Sequence, residues 1–280
     1  MDFYAGQKIA LLTQHGKESV IAPVLEPHLG CAVTLVSGYD TDQLGTFTRD
    51  TPRLSTQHEA ARRKARIGME LSGLPVGLAS EGSFGPDPMT GLFPWNVEVL
   101  VLIDDRLGIE IIALAQGHAQ SGHLHTNDWK AVEAFARKEG FPAHQMVIRP
   151  NNQHDPRITK GIANWNQLRE YFDDCQAKSG NSKVFVETDL RAFANPTRMQ
   201  RIGEAAEDLL KRLQSHCPAC QHPGYWVVTR KAGLPCGICG TPTSTYLREI
   251  RECPSCRHCT TTIRKDLRVA DPANCPRCNP

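Results

Sequence analysis

Between Lys8 and Leu213 short apolar runs alternate with amphipathic stretches, a rhythm that predicts an α/β layer fold with a mixed sheet flanked by helices. The runs read as strands are Ile9 to Thr13, Ala32 to Ser37, Val76 to Ser80, Val97 to Ile103, Ile109 to Ala115, Met146 to Arg149 and Lys183 to Glu187. Helical periodicity marks Glu18 to Leu29, Glu59 to Leu71, Asp128 to Lys138, Asn164 to Phe172 and Pro196 to Leu213. Asp104-Asp105-Arg106-Leu107-Gly108 reads as a hairpin loop, so one strand pair is antiparallel. The last helix has the clearest signals: Asn195 as cap, Pro196 at the first helical position, and an apolar stripe of Met199, Ile202, Ala206, Leu209, Leu210 and Leu213. It runs almost directly into Cys217 and forms the arm between an α/β domain, residues 1–213, and a smaller region, residues 214–280. Pro23 and Pro27 count against the first helix, because each removes a backbone donor.

Past that arm the pattern shortens to three brief alternating strands, Tyr225 to Thr229, Thr245 to Ile250 and Thr260 to Ile263, with too few large apolar residues to build a core. Cysteines supply what the core lacks. The pairs Cys217/Cys220, Cys236/Cys239, Cys253/Cys256 and Cys275/Cys278 each have Cys-x-x-Cys spacing, with 15, 13 and 18 residues between successive pairs, as in zinc ribbons. Eight thiolates fill two closed four-cysteine zinc sites, and closed sites are structural because a catalytic zinc needs an open position. An antiparallel meander would cross the sites, first pair with third and second with fourth. Turns at Lys231-Ala232-Gly233 and Asp271-Pro272 would instead give two successive ribbons. Cys259 is a spare thiol able to replace a neighbour, and Cys31 and Cys175 read as small buried hydrophobes.

Charge changes the picture modestly. The formal net charge is +2, but residues 217–280 hold nine Lys/Arg against four Asp/Glu. Two four-thiolate zinc sites would each carry −2, which lowers the region's +5 to about +1 and removes most of the electrostatic case for nucleic acid. Tyr225 and Trp226 read as covers for the metal's small core in preference to base-stacking platforms. No apolar run approaches the roughly 18 residues of a membrane helix, and the opening Met1-Asp2-Phe3-Tyr4 is no secretory signal, so a cytoplasmic protein with reduced thiols is expected.

Candidate chemistry gathers after strand ends, where open α/β sheets place ligands. Thr13-Gln14-His15-Gly16-Lys17-Glu18 puts a turn and a lysine at a helix start, parts suited to a phosphate; a capped turn with a solvated lysine is the simpler meaning. Asp40-Thr41-Asp42 with Gly45-Thr46-Phe47-Thr48 supplies two loop carboxylates. Glu81 emerges among Ser80, Gly82 and Ser83, a place for a Mg²⁺ or Mn²⁺ ligand or a general base, or for a structural glycine turn. Asp189 and Arg191 end another strand, where they either hold metal and phosphate together or pair with each other, and Arg198 follows in the next helix. Arg149 and Lys160 add candidate anion contacts. His118, His123 and His125 share one stretch, but their spacing matches no ligand pattern and reads as loop filler.

Glu59 to Arg66, continuing through Ser72-Gly73-Leu74-Pro75-Val76 to Ala79-Ser80-Glu81-Gly82-Ser83, resembles the helix, strand and acidic loop of the inosine triphosphate pyrophosphatase family. Thr13 to Lys17, Gly45-Thr46-Phe47 and the hairpin of Val97 to Ala115 fall in the same order as in that family, so the resemblance spans residues 9–115. It implies Lys17 and Lys64 near phosphates and Glu81 as acidic metal ligand or base. His15 stands where the family has Asn, Ala60 replaces another Asn, and Ser80 replaces one of two adjacent Asp. The whole chain, with Asn195-Pro196-Thr197-Arg198-Met199, Gly233-Leu234-Pro235-Cys236 and the closing Cys275-Pro276-Arg277-Cys278-Asn279-Pro280, also resembles a bacterial family of unknown function with a cysteine-rich zinc-binding end.

Two functions compete. The first is a divalent-metal-dependent phosphohydrolase acting on a nucleotide or other phosphorylated small molecule, with Lys17, Lys64, Arg191 and Arg198 on phosphates and Glu81 and Asp189 as the catalytic carboxylates. The second is a non-catalytic ligand-sensing module whose zinc tail binds protein or nucleic acid.

Overall fold

A computed structural model of the chain describes residues 3–40, 56–180 and 183–280. By contacts it divides into two compact units, one made of Leu107–Ile111 with Lys211–Pro280, the other of the chain up to Arg106 and from Ile112 to Leu210.

The larger unit is α/β with two sheets, and it shares the strand Ile109–His118 and the helix Pro196–Gln214 with the smaller unit, which holds residues 109–111 and 211–214 of them. In chain order its elements are β1 (Lys8–Leu12), α1 (Glu18–Leu29), β2 (Ala32–Val36), α2 (Gln57–Ser72), β3 (Val76–Pro86), β4 (Pro94–Asp104), β5 (Ile109–His118), β6 (His123–Thr126), α3 (Trp129–Lys138), β7 (Met146–Pro150), β8 (Thr159–Ile162), α4 (Trp165–Lys178), β9 (Val184–Thr188) and α5 (Pro196–Gln214). The first sheet has the order β2-β1-β3-β4-β5; β1 runs parallel to β2 and β3, while β3 and β4 are antiparallel, so the sheet is mixed. The second, β6-β9-β7-β8, is antiparallel throughout.

Helix signals in the sequence are realised by identifiable bonds. Thr56 and Glu59 form a reciprocal capping box on α2, and Asp128 and Asn164 accept backbone bonds at the starts of α3 and α4. Asn195 accepts from the Arg198 N–H at the start of α5. Both prolines lie inside α1, which persists because Ile21, Leu25 and Leu29 bury one face and Gly30, at φ 63°, ends it in the left-handed region. α2 presents Ala61, Ala65 and Met69 to Ala79, Val99, Val101 and Ile103 of the first sheet. Val132 and Ala136 of α3 and Leu168 and Phe172 of α4 pack with Met146, Ile148, Val184 and Val186 of the second. Cys31 and Cys175 are buried, as their reading as small hydrophobes required.

Three differences from the sequence reading matter. β3 does not end at Ser80; it continues through Glu81 to Pro86, paired residue for residue with β4. The small residues that read as a turn are strand residues facing bulky neighbours: a Cβ on Gly82 would collide with the Glu98 carboxylate and lie 2.7 Å from an Arg198 nitrogen. β6 and β8, His123–Thr126 and Thr159–Ile162, have no apolar run to announce them. Of the two loop carboxylates, Asp42, together with Thr41 and the segment Gly45-Thr46-Phe47-Thr48, lies outside the described residues.

The smaller unit is β-rich. β10 (Trp226–Ala232), β11 (Tyr246–Glu252) and β12 (Cys259–Ile263) form an antiparallel meander, each strand leading from one cysteine knuckle towards the next.

Candidate functional site

The meander decides the cysteine pairing. Cys217, Cys220, Cys253 and Cys256 gather their sulfurs in one group, and Cys236, Cys239, Cys275 and Cys278 in another, all within 4.8 Å of one another in each group. Sulfur–sulfur separations of 3.7 Å for Cys217 and Cys256, 3.6 Å for Cys220 and Cys253, and 3.6 Å for Cys239 and Cys275 match the roughly 3.8 Å edge of a tetrahedron with 2.3 Å metal–sulfur bonds. The donors therefore fit a metal ion, and the sites are crossed.

All four knuckles close with the same bond. The N–H of the residue after the second cysteine donates to the carbonyl of the first: Gln221 to Cys217, Gly240 to Cys236, Arg257 to Cys253 and Asn279 to Cys275. Gln221 and Arg257 take φ of 62° to do so, in the region usually left to glycine. Tyr225 packs with Cys217 and Cys253, covering the first centre. Cys259 is exposed on β12 and belongs to neither group.

A different chemistry is concentrated in the larger unit. The turn after β1 brings Lys17 to the start of α1, with Gly16 at φ 68°, and buries its ammonium against Ser80, where Nζ donates to the carbonyl at 2.8 Å. Lys64, on the buried face of α2, meets Glu81 at 2.5 Å. Gln57 donates to the carbonyls of Glu81 and Val97 and ties the start of α2 to both strands. Opposite Gly82 on β4 stands Glu98, fully buried; its Oε1 accepts from Arg198 Nε at 2.7 Å and Asn96 Nδ2 at 3.1 Å. Arg198 also donates to the Leu190 carbonyl at 2.6 Å.

Lys17 is coupled electrostatically both to the Lys64–Glu81 pair on the α2 face of β3 and to the Arg198–Glu98–Asn96 cluster on the opposite face, so the charges form one network across the strand; the sequence reading missed two of its members, Glu98 and Asn96. The signal was present: a carboxylate inside the apolar run Val97 to Ile103 must find a buried partner. The network holds three cations and two carboxylates. Burial, and then the nearby Arg198 charge, push the Lys17 amine from about 10.5 down to about 7, against the opposing pull of Glu81 and Glu98.

Asp189 and Arg191 form a separate pair. The fully buried Asp189 accepts from the Arg191 backbone and guanidinium and from the Gly161 N–H at 3.1 Å. Asp104 with Arg106 and Asp155 with Arg157 repeat the arrangement: the backbone N–H two residues on, then the guanidinium, both turned onto one carboxylate. Arg191 lies 4.7 Å over the Phe193 ring, which stacks at 5.7 Å on His15 in the Lys17 turn. Arg149 pairs with Glu187 at 3.0 Å. His123 and His125 flank Phe185.

Beside the network opens a cleft of about 410 Å³, lined among others by Phe84, Phe93, Ser121, His123, Thr188 and Leu190. Arg198 links the two: its guanidinium lies 5.9 Å over the Phe84 ring and holds the Leu190 carbonyl. The rim is pre-shaped by Asp87, whose carboxylate accepts from the N–H groups of Met89, Thr90, Leu92 and Phe93.

Fold and site define an α/β protein with a two-centre cysteine ribbon. The chain belongs to the family described as domain of unknown function DUF6671, whose model matches residues 64–280. No curated protein matches it. Among the described residues no helix is long and apolar enough to cross a membrane.

Proposed function

We propose that the larger unit is a divalent-metal-dependent phosphohydrolase for a nucleotide or other phosphorylated small molecule, and that the ribbon holds two structural zinc ions. The carrying observation is the buried network of Lys17, Lys64, Arg198, Glu81 and Glu98 beside an open cleft. Burying five charged groups costs folding free energy that apolar residues would not, and the set keeps a surplus of one positive charge when all are ionised. A phosphate would supply the missing anion, with the cleft taking the rest of the molecule. The likeness of residues 9–115 to the inosine triphosphate pyrophosphatase family supports a nucleoside phosphate.

A hard cation fits the same place. Among the described residues Asn96 Oδ1 is buried without a hydrogen-bond partner, and Glu98 Oε2 has only a 3.5 Å contact with Ser80. Glu98 and Asn96, two apart on one face of β4, would hold Mg²⁺ or Mn²⁺, which when bound neutralises phosphate oxygens. Lys17 would move from the Ser80 carbonyl, and Lys64 and Arg198 from carboxylates, to phosphate oxygens. Glu81, released from Lys64, would take a proton from the attacking water as its oxygen bonds to phosphorus and the phosphorus–oxygen bond to the leaving group breaks. Asp189 and Arg191 serve from one step away: their pair fixes the loop whose Leu190 carbonyl positions Arg198.

The ligand-sensing reading is favoured by one observation, the pairing of both carboxylates with cations. The two are separated by screening nucleoside triphosphates and sugar phosphates with Mg²⁺ or Mn²⁺, following phosphate and pyrophosphate release. Turnover that falls roughly a hundredfold or more in Glu81→Gln supports the hydrolase. No release from any substrate, or equal release by both proteins, overturns it; calorimetric binding of pyrophosphate without release would establish the sensing module.

A further inference from the structure

The ribbon sheet fixes where its cations stand. Register places Lys231 of β10 directly opposite Arg248 of β11, and Arg248 opposite Ile263 of β12. Directly paired residues share a face with Cβ atoms about 4.5–5.5 Å apart, and like charges in that relation destabilise a sheet. Neither cation has an acidic partner among the described residues, because the nearby acids are engaged elsewhere: Glu249 with Arg230, Glu252 with Arg257 and Asp266 with Arg264.

One row along the same face come Thr229, Ile250 and Thr261. Thr229, Lys231, Arg248, Thr261 and Ile263 are all exposed. Stability of the fold does not explain an exposed strip of paired cations and hydroxyls; an anion lying across it does.

We propose that this face of the ribbon binds the phosphate backbone of single-stranded nucleic acid, with Lys231 and Arg248 contacting phosphates and Thr229 and Thr261 donating hydroxyl hydrogens to phosphate oxygens. Cations and hydroxyls are the donors that phosphates take, whereas an acidic peptide would also need pockets for its side chains. A three-stranded face has no ridge to enter a duplex groove, which takes a helix or a two-stranded ribbon. Arg230 and Arg264 turn to the opposite face, where they stack on the Tyr246 ring at 4.9 and 4.1 Å, so the strip's own cations are Lys231 and Arg248. The thiolate charge of the metal centres sits at the knuckles, and beyond roughly 8 Å salt screens it from a chain touching the exposed cations.

The test uses the full metal-loaded chain and fluorescence anisotropy of a labelled oligo-uridylate of about 20 nucleotides. Two neutralised phosphates give a log–log salt slope of about −1.4, so affinity should fall about sevenfold between roughly 50 and 200 mM salt. Lys231→Glu with Arg248→Glu should weaken binding tenfold or more, while the same charge change at exposed Lys130 and Lys138 leaves it intact. Metal content verifies folding, and if the Glu variant loses metal, Lys231→Gln with Arg248→Gln carries the test. Absent binding, unchanged binding in the folded strip variant, tighter binding of polyglutamate, or preference for duplex would each overturn the proposal.

Discussion

Gly82 shows how one absent atom makes room for a charge network. Its neighbours on β4 and α5, Glu98 and Arg198, occupy the volume a methyl group would need. Gly82→Ala should therefore destabilise the chain by roughly 1–3 kcal/mol in chemical denaturation, although alanine is the better strand former. Lys17 makes a second test at this scale. Its folded pKa of about 7 lies below the ordinary value of about 10.5, so between these pH values the unfolded chain holds the proton more tightly. Stability relative to Lys17→Met should then rise as pH increases from about 7 towards 10, read as the difference in melting temperature. A parallel curve for the two proteins would mean that Lys17 is not buried as described. Lys17, Glu81 and Arg198 were visible in the sequence as polar residues at strand ends or helix starts, and Lys64 only through the family resemblance. Their convergence was not, because it depends on which strands are neighbours; Glu98 was hidden by the apolar run around it.

At the scale of elements, periodicity located the helices well through their apolar stripes, and α2, α3, α4 and α5 add a side-chain cap that α1 lacks. α1 kept its full span despite Pro23 and Pro27. Strands were legible where apolar side chains alternate and illegible where small or polar residues pair, as in the outer half of β3 and in β6 and β8. The knuckles carried the opposite lesson: spacing announced the ligands, but only the strand order of the meander decided their partners. Metal analysis can check that order. Cys217→Ser combined with Cys253→Ser should leave about one metal per chain, since both belong to one centre. Cys217→Ser combined with Cys236→Ser should remove both metals. The reverse result would require two successive ribbons.

For the whole molecule, sequence rhythm was enough to give the class, an α/β unit with a mixed sheet and a β-rich cysteine unit. The second, wholly antiparallel sheet was beyond it, because two of its four strands are only four residues long. The order of the metal ligands has a final consequence. Along the chain the pairs alternate between centres, first, second, first, second, so each centre encloses part of the other's loop. Neither can be cut out as a segment without taking ligands from its neighbour. Such a ribbon cannot be halved or lengthened by one centre at a time through recombination; it is inherited, or lost, as a single piece.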